Sequence, residues 1–261
     1  MNETLYESPS QDIDESFTDA QWQVRVDLAA AYRMAWHFGW TDLIYNHITA
    51  KVPGAKDRFL INPLGLMYDE VTASNLVEID FEGNIRSNTR HRVNHAGFVI
   101  HSAIHRARPD ASCVLHTHSR AGVAVSCLRD GFKPMTQGGL QFDGRIGYHD
   151  YEGFNVRLDE QQRLVKSIGR DHALILRNHG LLTVGNCVAK AVQRMHYLEQ
   201  ACQVMVDALS TGQPTVELAD PVRAATSERW YEGSSDASAN DDIEWLALRR
   251  MMDRLYPGYA T

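Results

Sequence analysis

Two short motifs contain three histidines whose positions suit metal binding. The segment 114–118 reads Val-Leu-His-Thr-His, so His116 and His118 stand two residues apart at the end of a short apolar run. Side chains at i and i+2 point to the same face of a strand, so both imidazoles can reach one ion. His179 follows a second apolar run, at 174–176. Three neutral imidazoles leave coordination positions open for water or substrate, as in catalytic metal sites.

A second histidine pair, His101 and His105, stands four residues apart within a predicted helix. This spacing would also let two imidazoles share one ion. The helix around the pair is apolar, however, and that setting favours packing in the core with one hydrogen bond for each ring. Three further histidines are predicted in loops or at the ends of elements, where they would touch substrate: His47, His95 and His149.

Alternating helices and strands are predicted to position these side chains. The first helix begins near Thr18, which has capping-box spacing with Gln21, and ends before Gly39. Further helices are predicted over 96–107, 119–128, 159–168 and 188–209, and strands over 45–52, 59–61, 76–80, 84–86, 112–116 and 173–176. The connections between the early strands are too short for parallel crossovers. The sequence therefore predicts an α/β fold around a mixed, mainly antiparallel sheet.

Composition divides the chain into four predicted segments. They are a mobile acidic N-terminal tail at 1–18, a folded domain at 19–212, a polar linker at 213–240 and a C-terminal docking helix at 241–261. The first 20 residues carry six acids and no lysine or arginine. The last helix is amphipathic, and it is expected to dock on the body or on a neighbouring subunit. Its apolar face would consist of Trp245, Leu248, Met252 and Leu255.

The charge and cysteine content argue against several classes of protein. Most of the net charge of −7 belongs to the tail, since the 241 residues after position 20 hold 27 acids against 26 bases. A body so close to neutral has no field to gather phosphate backbones, so no nucleic-acid partner is expected. No apolar run reaches the length of a membrane span, so no membrane partner is expected. Four cysteines without a CxxC pair, and no signal peptide, favour the reducing cytoplasm.

Several motifs together resemble those of the class II aldolase/adducin family over roughly residues 22–210. They are Asn-His-Ala-Gly-Phe at 94–98, Arg-Pro-Asp at 108–110, His-Thr-His at 116–118, Leu-Arg-Asn-His-Gly at 176–180, Asn-Pro-Leu-Gly at 62–65 and Tyr-His-Asp-Tyr at 148–151. The resemblance implies a single three-layer α/β/α domain and a homotetramer with active sites between subunits. It also implies that His116, His118 and His179 hold a catalytic divalent metal. Zn²⁺ is the expected ion, with Mn²⁺ and Fe²⁺ as alternatives.

The departures from the aldolase pattern bear on the substrate. Counting back from His116 without a gap, the position of the aldolases' catalytic glutamate falls on Gly97, so the chain is closer to the adducin-like branch. The phosphate-binding positions also differ, because hydroxyl donors there are largely replaced. A smaller carboxylated or aromatic substrate is therefore expected instead of a sugar phosphate. The residues at these positions that would bind it are Asn46, Asn62 and Gly65.

Another group must move protons in place of the missing glutamate. Tyr148 matches an aldolase tyrosine that donates a proton in the neighbouring subunit's active site, and it is the first candidate. His95 and His149 are the next candidates, since imidazole titrates near neutral pH.

Three functions remain open from the sequence. The favoured one is a metal-dependent lyase that cleaves a C–C bond, by aldol cleavage or decarboxylation, in a small oxygenated and non-phosphorylated acid. The second is a non-haem iron oxygenase that uses the same three histidines. The third is a non-catalytic assembly protein like the adducins, although the long basic tail of animal adducins is absent from this sequence.

Overall fold

The computed structural model describes residues 17–153, 159–233 and 242–261. The helices in these ranges are α1 Asp19–His37, α2 His95–Ala107, α3 Arg120–Ser126, α4 Glu160–Ile168, α5 Val188–Ser210, α6 Asp220–Gly233 and α7 Ile243–Leu255. The strands are β1 His47–Lys51, β2 Arg58–Ile61, β3 Val77–Asp80, β4 Cys113–Thr117, β5 Ile146–His149, β6 Ala173–Leu176 and β7 Gly180–Gly185. Short 3₁₀ turns occur at Tyr68–Glu70 and Gly139–Phe142. None of the described helices combines the length and hydropathy needed to cross a bilayer.

The strands form one open sheet in the order β3-β2-β1-β4-β7-β6-β5. Every neighbouring pair is antiparallel except β5 and β6, which run parallel. This topology confirms the mixed, mainly antiparallel sheet. Strand β1 lies beside β4 in a register that places His47 directly opposite His116, and this pairing positions the candidate site.

Helices cover both faces of the sheet, which confirms the three-layer α/β/α arrangement. Side chains alternate across a strand, so Leu115 of β4 packs into the larger core with α1, α3, α5 and α7. Its neighbour Val114 packs into a second core with α2 and α4. His116 stands two residues from Val114 on β4, and both therefore point to the same face of the sheet. Their partners across the ladder, His47 and Thr49, point to that face as well, which is the side covered by α2.

The N-terminal helix α1 begins as its sequence predicts. Thr18 Oγ1 accepts a hydrogen bond from Gln21 N at 3.3 Å, and Gln21 Oε1 accepts one from Thr18 N at 3.1 Å. This capping box satisfies two backbone donors at the helix start. Further along α1, the buried Tyr32 hydroxyl accepts from the backbone N–H groups of Ile48 and Asn62, so α1 ties β1 to the end of β2.

The C-terminal helix α7 packs against α1 and α5 of its own chain. Trp245 and Met252 of its predicted apolar face are buried, whereas Leu255 is half exposed. Asp242 caps the helix by accepting from the backbone N–H of Trp245, and it also accepts from Lys190 Nζ at 2.7 Å.

The segment after α7 is fixed to the loop before β3. The backbone N–H of Ala73 donates to the carbonyl oxygen of Tyr259 at 2.8 Å, and that of Ser74 donates to Thr261 at 3.0 Å. Arg249 forms an ion pair with Asp27 of α1. Helix α7 and the residues behind it therefore complete the core on the α1 side of the sheet.

The structure differs from the predicted elements in four places, one of which is the unpredicted strand β5, Ile146–His149. Helix α6 lies inside the predicted linker 213–240, where the interpretation as linker is wrong for Asp220–Gly233. Its Pro221 stands in the first helical turn, where the missing N–H costs nothing, and Arg223 binds Asp143 at 2.7 Å. Strand β7 was not predicted, and the predicted strand 84–86 amounts to a single bridge at Ile85. The tail before residue 17 and the segment 234–241 lie outside the described residues.

Candidate metal centre

Three histidines from neighbouring strands converge on one point. His116 lies on β4, His118 follows that strand, and His179 lies in the turn between β6 and β7. One ring nitrogen of each lies within 4.8 Å of those of the others. The turn depends on Asn178, which adopts the left-handed conformation at φ 57° that asparagine tolerates better than most residues. The fold therefore brings together the three residues that the sequence predicts to be metal ligands.

Hydrogen bonds determine which nitrogen is free on two of these rings. His116 Nδ1 lies 2.8 Å from the carbonyl oxygen of Leu181, and His118 Nδ1 lies 3.0 Å from Asp42 Oδ2. Both partners are acceptors, so each Nδ1 carries the hydrogen and each Nε2 of a neutral ring carries a lone pair. The two Nε2 atoms face each other at 2.9 Å. Two lone pairs so close need a proton or a cation between them, and a divalent metal fits this donor set.

Burial keeps His116 and His179 in the neutral form that metals bind. His116 is almost fully buried, and burial holds its pKa well below the ordinary value of 6.5. Burial, followed by the nearby His118, lowers the pKa of His179 to about 4. Neutral imidazoles leave the charge of a bound cation uncompensated and available to a substrate oxygen.

A buried carboxyl supports the backbone between the first two ligands. Thr117 Oγ1 donates to Glu199 Oε1 at 2.9 Å, and Ser119 Oγ donates to Glu199 Oε2 at 2.5 Å. Burial raises the pKa of Glu199, against the opposing effect of these two hydrogen bonds. Because these residues flank His118, Glu199 of α5 fixes the direction in which the chain leaves β4.

His47 occupies the space that a side chain at position 97 would need. A Cβ added to Gly97 would lie 2.2 Å from Cδ2 of His47 and 2.7 Å from its Nε2. The His47 ring stacks on His116 with 5.4 Å between ring centroids. An imidazole beside the metal ligands thus stands where the aldolase pattern places a glutamate. The sequence offered only the glycine as a signal, since the partner that fills the space comes from another strand.

His101 and His105 are core residues, as their apolar helix predicts. Both are fully buried, and each makes hydrogen bonds through both ring nitrogens. Neither belongs to the three-histidine cluster among the described residues.

The predicted substrate-binding residues have different surroundings. Asn46 is 2% exposed and adopts φ 78°, and neither its Oδ1 nor its Nδ2 has a partner among the described residues. Asn62 Oδ1 instead lies 2.9 Å from the Tyr32 hydroxyl, so it is engaged within the protein. Gly65 adopts φ 101° in an open position. Asn46 is therefore the residue of this group whose side chain is left without a protein partner.

The three predicted proton-transfer residues do not share one site, since the consecutive residues Tyr148 and His149 point to opposite faces of β5. The Tyr148 hydroxyl accepts from Phe132 N at 3.0 Å, within its own chain. His95 is exposed at the start of α2. His149 is buried, with its Nε2 3.3 Å from Glu160 Oε1, and it lines a small cavity together with His179. Tyr151, which ends the Tyr-His-Asp-Tyr motif but was not a predicted site residue, lines the same cavity with its ring centroid 6.3 Å from that of His179.

The sequence and the fold both match one family. Residues 26–206 match the family described as Class II Aldolase and Adducin N-terminal domain. The chain is 44% identical to a class 2 aldolase-type protein of Caulobacter vibrioides, over 97% of each protein. It is 42% identical to alpha-adducin of Rattus norvegicus, over 91% of this chain and 34% of the adducin.

Solved structures agree with these relatives. An aldolase II superfamily protein from Pseudomonas syringae superposes with a TM-score of 0.88 at 45% identity, over 94% of this chain and 98% of the other. L-fuculose 1-phosphate aldolase from Glaciozyma antarctica superposes with a TM-score of 0.77 at 28% identity, over 94% and 96%. The protein therefore belongs to the class II aldolase/adducin family.

Proposed function

We propose that the protein is a divalent-metal-dependent lyase that cleaves a C–C bond in a small oxygenated, non-phosphorylated acid, by aldol cleavage or decarboxylation. The observation that carries this proposal is the pair of opposed Nε2 lone pairs of His116 and His118, 2.9 Å apart, with His179 beside them. Two facing lone pairs without a partner are unfavourable in a buried site, whereas the same two nitrogens bind a cation favourably. Zn²⁺ is the proposed ion, with Mn²⁺ or Fe²⁺ as alternatives.

The chain's own residues would divide the work of binding and proton transfer. A bound divalent cation would supply positive charge that stabilises the enediolate oxygen formed when the C–C bond breaks. Asn46, whose amide has no partner among the described residues, would bind a carboxylate or carbonyl oxygen of the acid. Asn62 and Gly65 would shape the same loop region. Neutral amides suit a carboxylate better than the doubly charged phosphate of a sugar phosphate.

The remaining predicted residues are proposed to transfer protons, with Tyr148 acting in the active site of a neighbouring subunit. Tyr148, His95 and His149 stay candidates for proton transfer, and His149 is supported by the cavity that it shares with His179. We propose a homotetramer in the cytoplasm with active sites between subunits, as the family resemblance implies. Mass photometry of the purified protein would test the tetramer, and a monomer at working concentration would contradict it.

Metal analysis tests the core of the proposal. Protein purified without added ions is expected to contain about one divalent ion per chain. His116→Ala and His179→Ala should lose it, whereas His91→Ala, in the loop before α2, should keep it. A metal-free wild type, or ions that persist in both ligand variants, would contradict the proposal. Wild type screened with β-keto and β-hydroxy acids should then release carbon dioxide or an aldehyde.

The same experiments separate the alternatives. Iron as the native ion, with oxygen consumed during turnover, would favour the oxygenase that the three-histidine set also permits. Adducin relatives favour a non-catalytic role, which predicts that ligand variants leave partner binding unchanged and that no acid is turned over.

A further inference from the structure

A chain of buried hydrogen bonds leads from β4 to the candidate metal centre. His105 Nδ1 lies 2.9 Å from the carbonyl oxygen of Ala111, and its Nε2 lies 2.8 Å from Thr49 Oγ1. The same Oγ1 lies 2.7 Å from His101 Nδ1. His101 Nε2 in turn lies 3.0 Å from His47 Nδ1. Three imidazoles and one hydroxyl are thus joined in a single line.

The carbonyl at one end determines the direction of every hydrogen bond in this line. Ala111 O can only accept, so His105 Nδ1 donates and its Nε2 accepts from the Thr49 hydroxyl. Thr49 has then used its only hydrogen, so it accepts from His101 Nδ1, which leaves His101 Nε2 as an acceptor. His47 Nδ1 must therefore donate. The last atom of the line, His47 Nε2, is left with a lone pair and no hydrogen.

This assignment requires that all three rings are neutral, and the surroundings favour that state. The rings are buried, and no carboxylate among the described residues forms a hydrogen bond with them. Burial lowers the pKa of His105 to about 3. Each ring then has one donor and one acceptor nitrogen, and the line has one consistent arrangement.

His47 Nε2 points to the place where a side chain at position 97 would begin, since a Cβ there would lie 2.7 Å from it. The atom has no hydrogen-bond partner among the residues that the structure describes. The ring also stacks on the ligand His116, and the neighbouring Asn46 has an unpartnered amide. A lone pair is therefore presented beside His116 of the candidate metal centre.

We infer that His47 is a specificity-determining residue that accepts a hydrogen bond from a hydroxyl group of the bound acid, so that the site prefers hydroxy acids to acids without a hydroxyl. This inference rests on the proposed function for the location of the ligand. The line from Ala111 holds His47 in the tautomer that accepts and prevents it from donating. A carboxylate oxygen, which can only accept, is repelled by Nε2.

Nitrogen NMR of the metal-free protein tests the tautomer directly. Long-range ¹H–¹⁵N correlations of histidine-labelled wild type are expected to show the Nδ1–H form for His47, His101 and His105. Thr49→Val removes the shared hydroxyl with little change of shape, and it should give His47 a mixture of tautomers. The Nε2–H form at His47 in wild type, or an unchanged pure Nδ1–H form in Thr49→Val, would overturn the inference.

A pair of small probes tests the preference for a hydroxyl. Calorimetry of the Zn²⁺-loaded protein should show glycolate binding more tightly than acetate. His47→Phe is expected to reduce that ratio by about fivefold to tenfold, while His47→Gln, which retains an acceptor oxygen, should keep most of it. An equal ratio in wild type and both variants, or no binding of glycolate to wild type, would overturn the inference. Intact glycolate preference without turnover of any acid would refute only the proposed lyase.

Discussion

Adding one methyl group at Gly97 tests whether His47 really fills the position of the missing side chain. A Cβ at this position of α2 would lie 2.2 Å from His47 Cδ2, whereas ordinary carbon–carbon contacts are about 3.5–4.0 Å. The imidazole would therefore have to move by more than an ångström. Such a shift breaks its 3.0 Å hydrogen bond to His101, which has no access to water.

The expected cost follows from three terms. Overpacking a well-filled site costs about 1–3 kcal/mol. A buried ring nitrogen left without a partner costs about another 1–3 kcal/mol. Alanine in place of glycine within a helix raises the free energy of unfolding by up to about 1 kcal/mol. We therefore expect Gly97→Ala to lower the free energy of unfolding by about 3 kcal/mol.

The matched control is the same substitution in a His47→Ala background. There the methyl group enters vacated space, so Gly97→Ala should be neutral or stabilise by up to about 1 kcal/mol. Urea unfolding of the metal-free wild type, both single variants and the double variant gives the coupling free energy, which should be about 3–4 kcal/mol. If Gly97→Ala costs the same in both backgrounds, His47 does not occupy this space.

Three other outcomes are expected. Asp42→Asn weakens the anchoring of His118 and should reduce Zn²⁺ affinity about 10-fold to 100-fold in competition titrations with a chelator, and an unchanged affinity would count against the assigned tautomer. Burial alone would raise the pKa of Asp80, but hydrogen bonds from Asn84 and Arg86 outweigh it and hold that pKa at about 2. Because the folded value lies below the unfolded one, this contribution of about 2 kcal/mol is present above pH 4 and is lost as the pH falls towards 2. Wild type should therefore lose more stability than Asp80→Asn between pH 5 and 2 in thermal unfolding, and parallel curves would contradict this. Trp245→Ala should cost about 3–5 kcal/mol in urea unfolding because its ring is 2% exposed, and a loss below 1 kcal/mol would show that α7 is not part of the core.

Sequence patterns correctly predicted the features that depend only on residues close together in the sequence. The capping box at Thr18 and the strand that ends in His116 needed only neighbouring residues, and both are present. Helix α6 is absent from the prediction because its segment is polar and contains Pro221, and proline suits a first helical turn as well as a linker. Strand β7 was missed because a short apolar run after a turn has no clear period.

The surroundings of the site depended on contacts that no local pattern contains. The meeting of His47 and Gly97 requires the pairing of β1 with β4 and the close approach of α2. The roles of Thr49 and Ala111 in orienting His47 likewise depend on contacts across 52 and six residues of sequence, respectively. The convergence of His116, His118 and His179 could thus be predicted from spacing and the family resemblance, whereas the tautomers of the surrounding histidines could not.

The position of α7 has a consequence for the order in which the molecule can be completed. Helix α1 is among the first described segments to be synthesised, yet part of its buried side is covered by α7 and by the residues near Tyr259. Until α7 has been synthesised, the part of α1 that it covers is exposed to water and to other chains. The native core on this side can therefore form only after α7 has left the ribosome, and the nascent protein depends on this helix to cover an apolar surface that would otherwise favour aggregation.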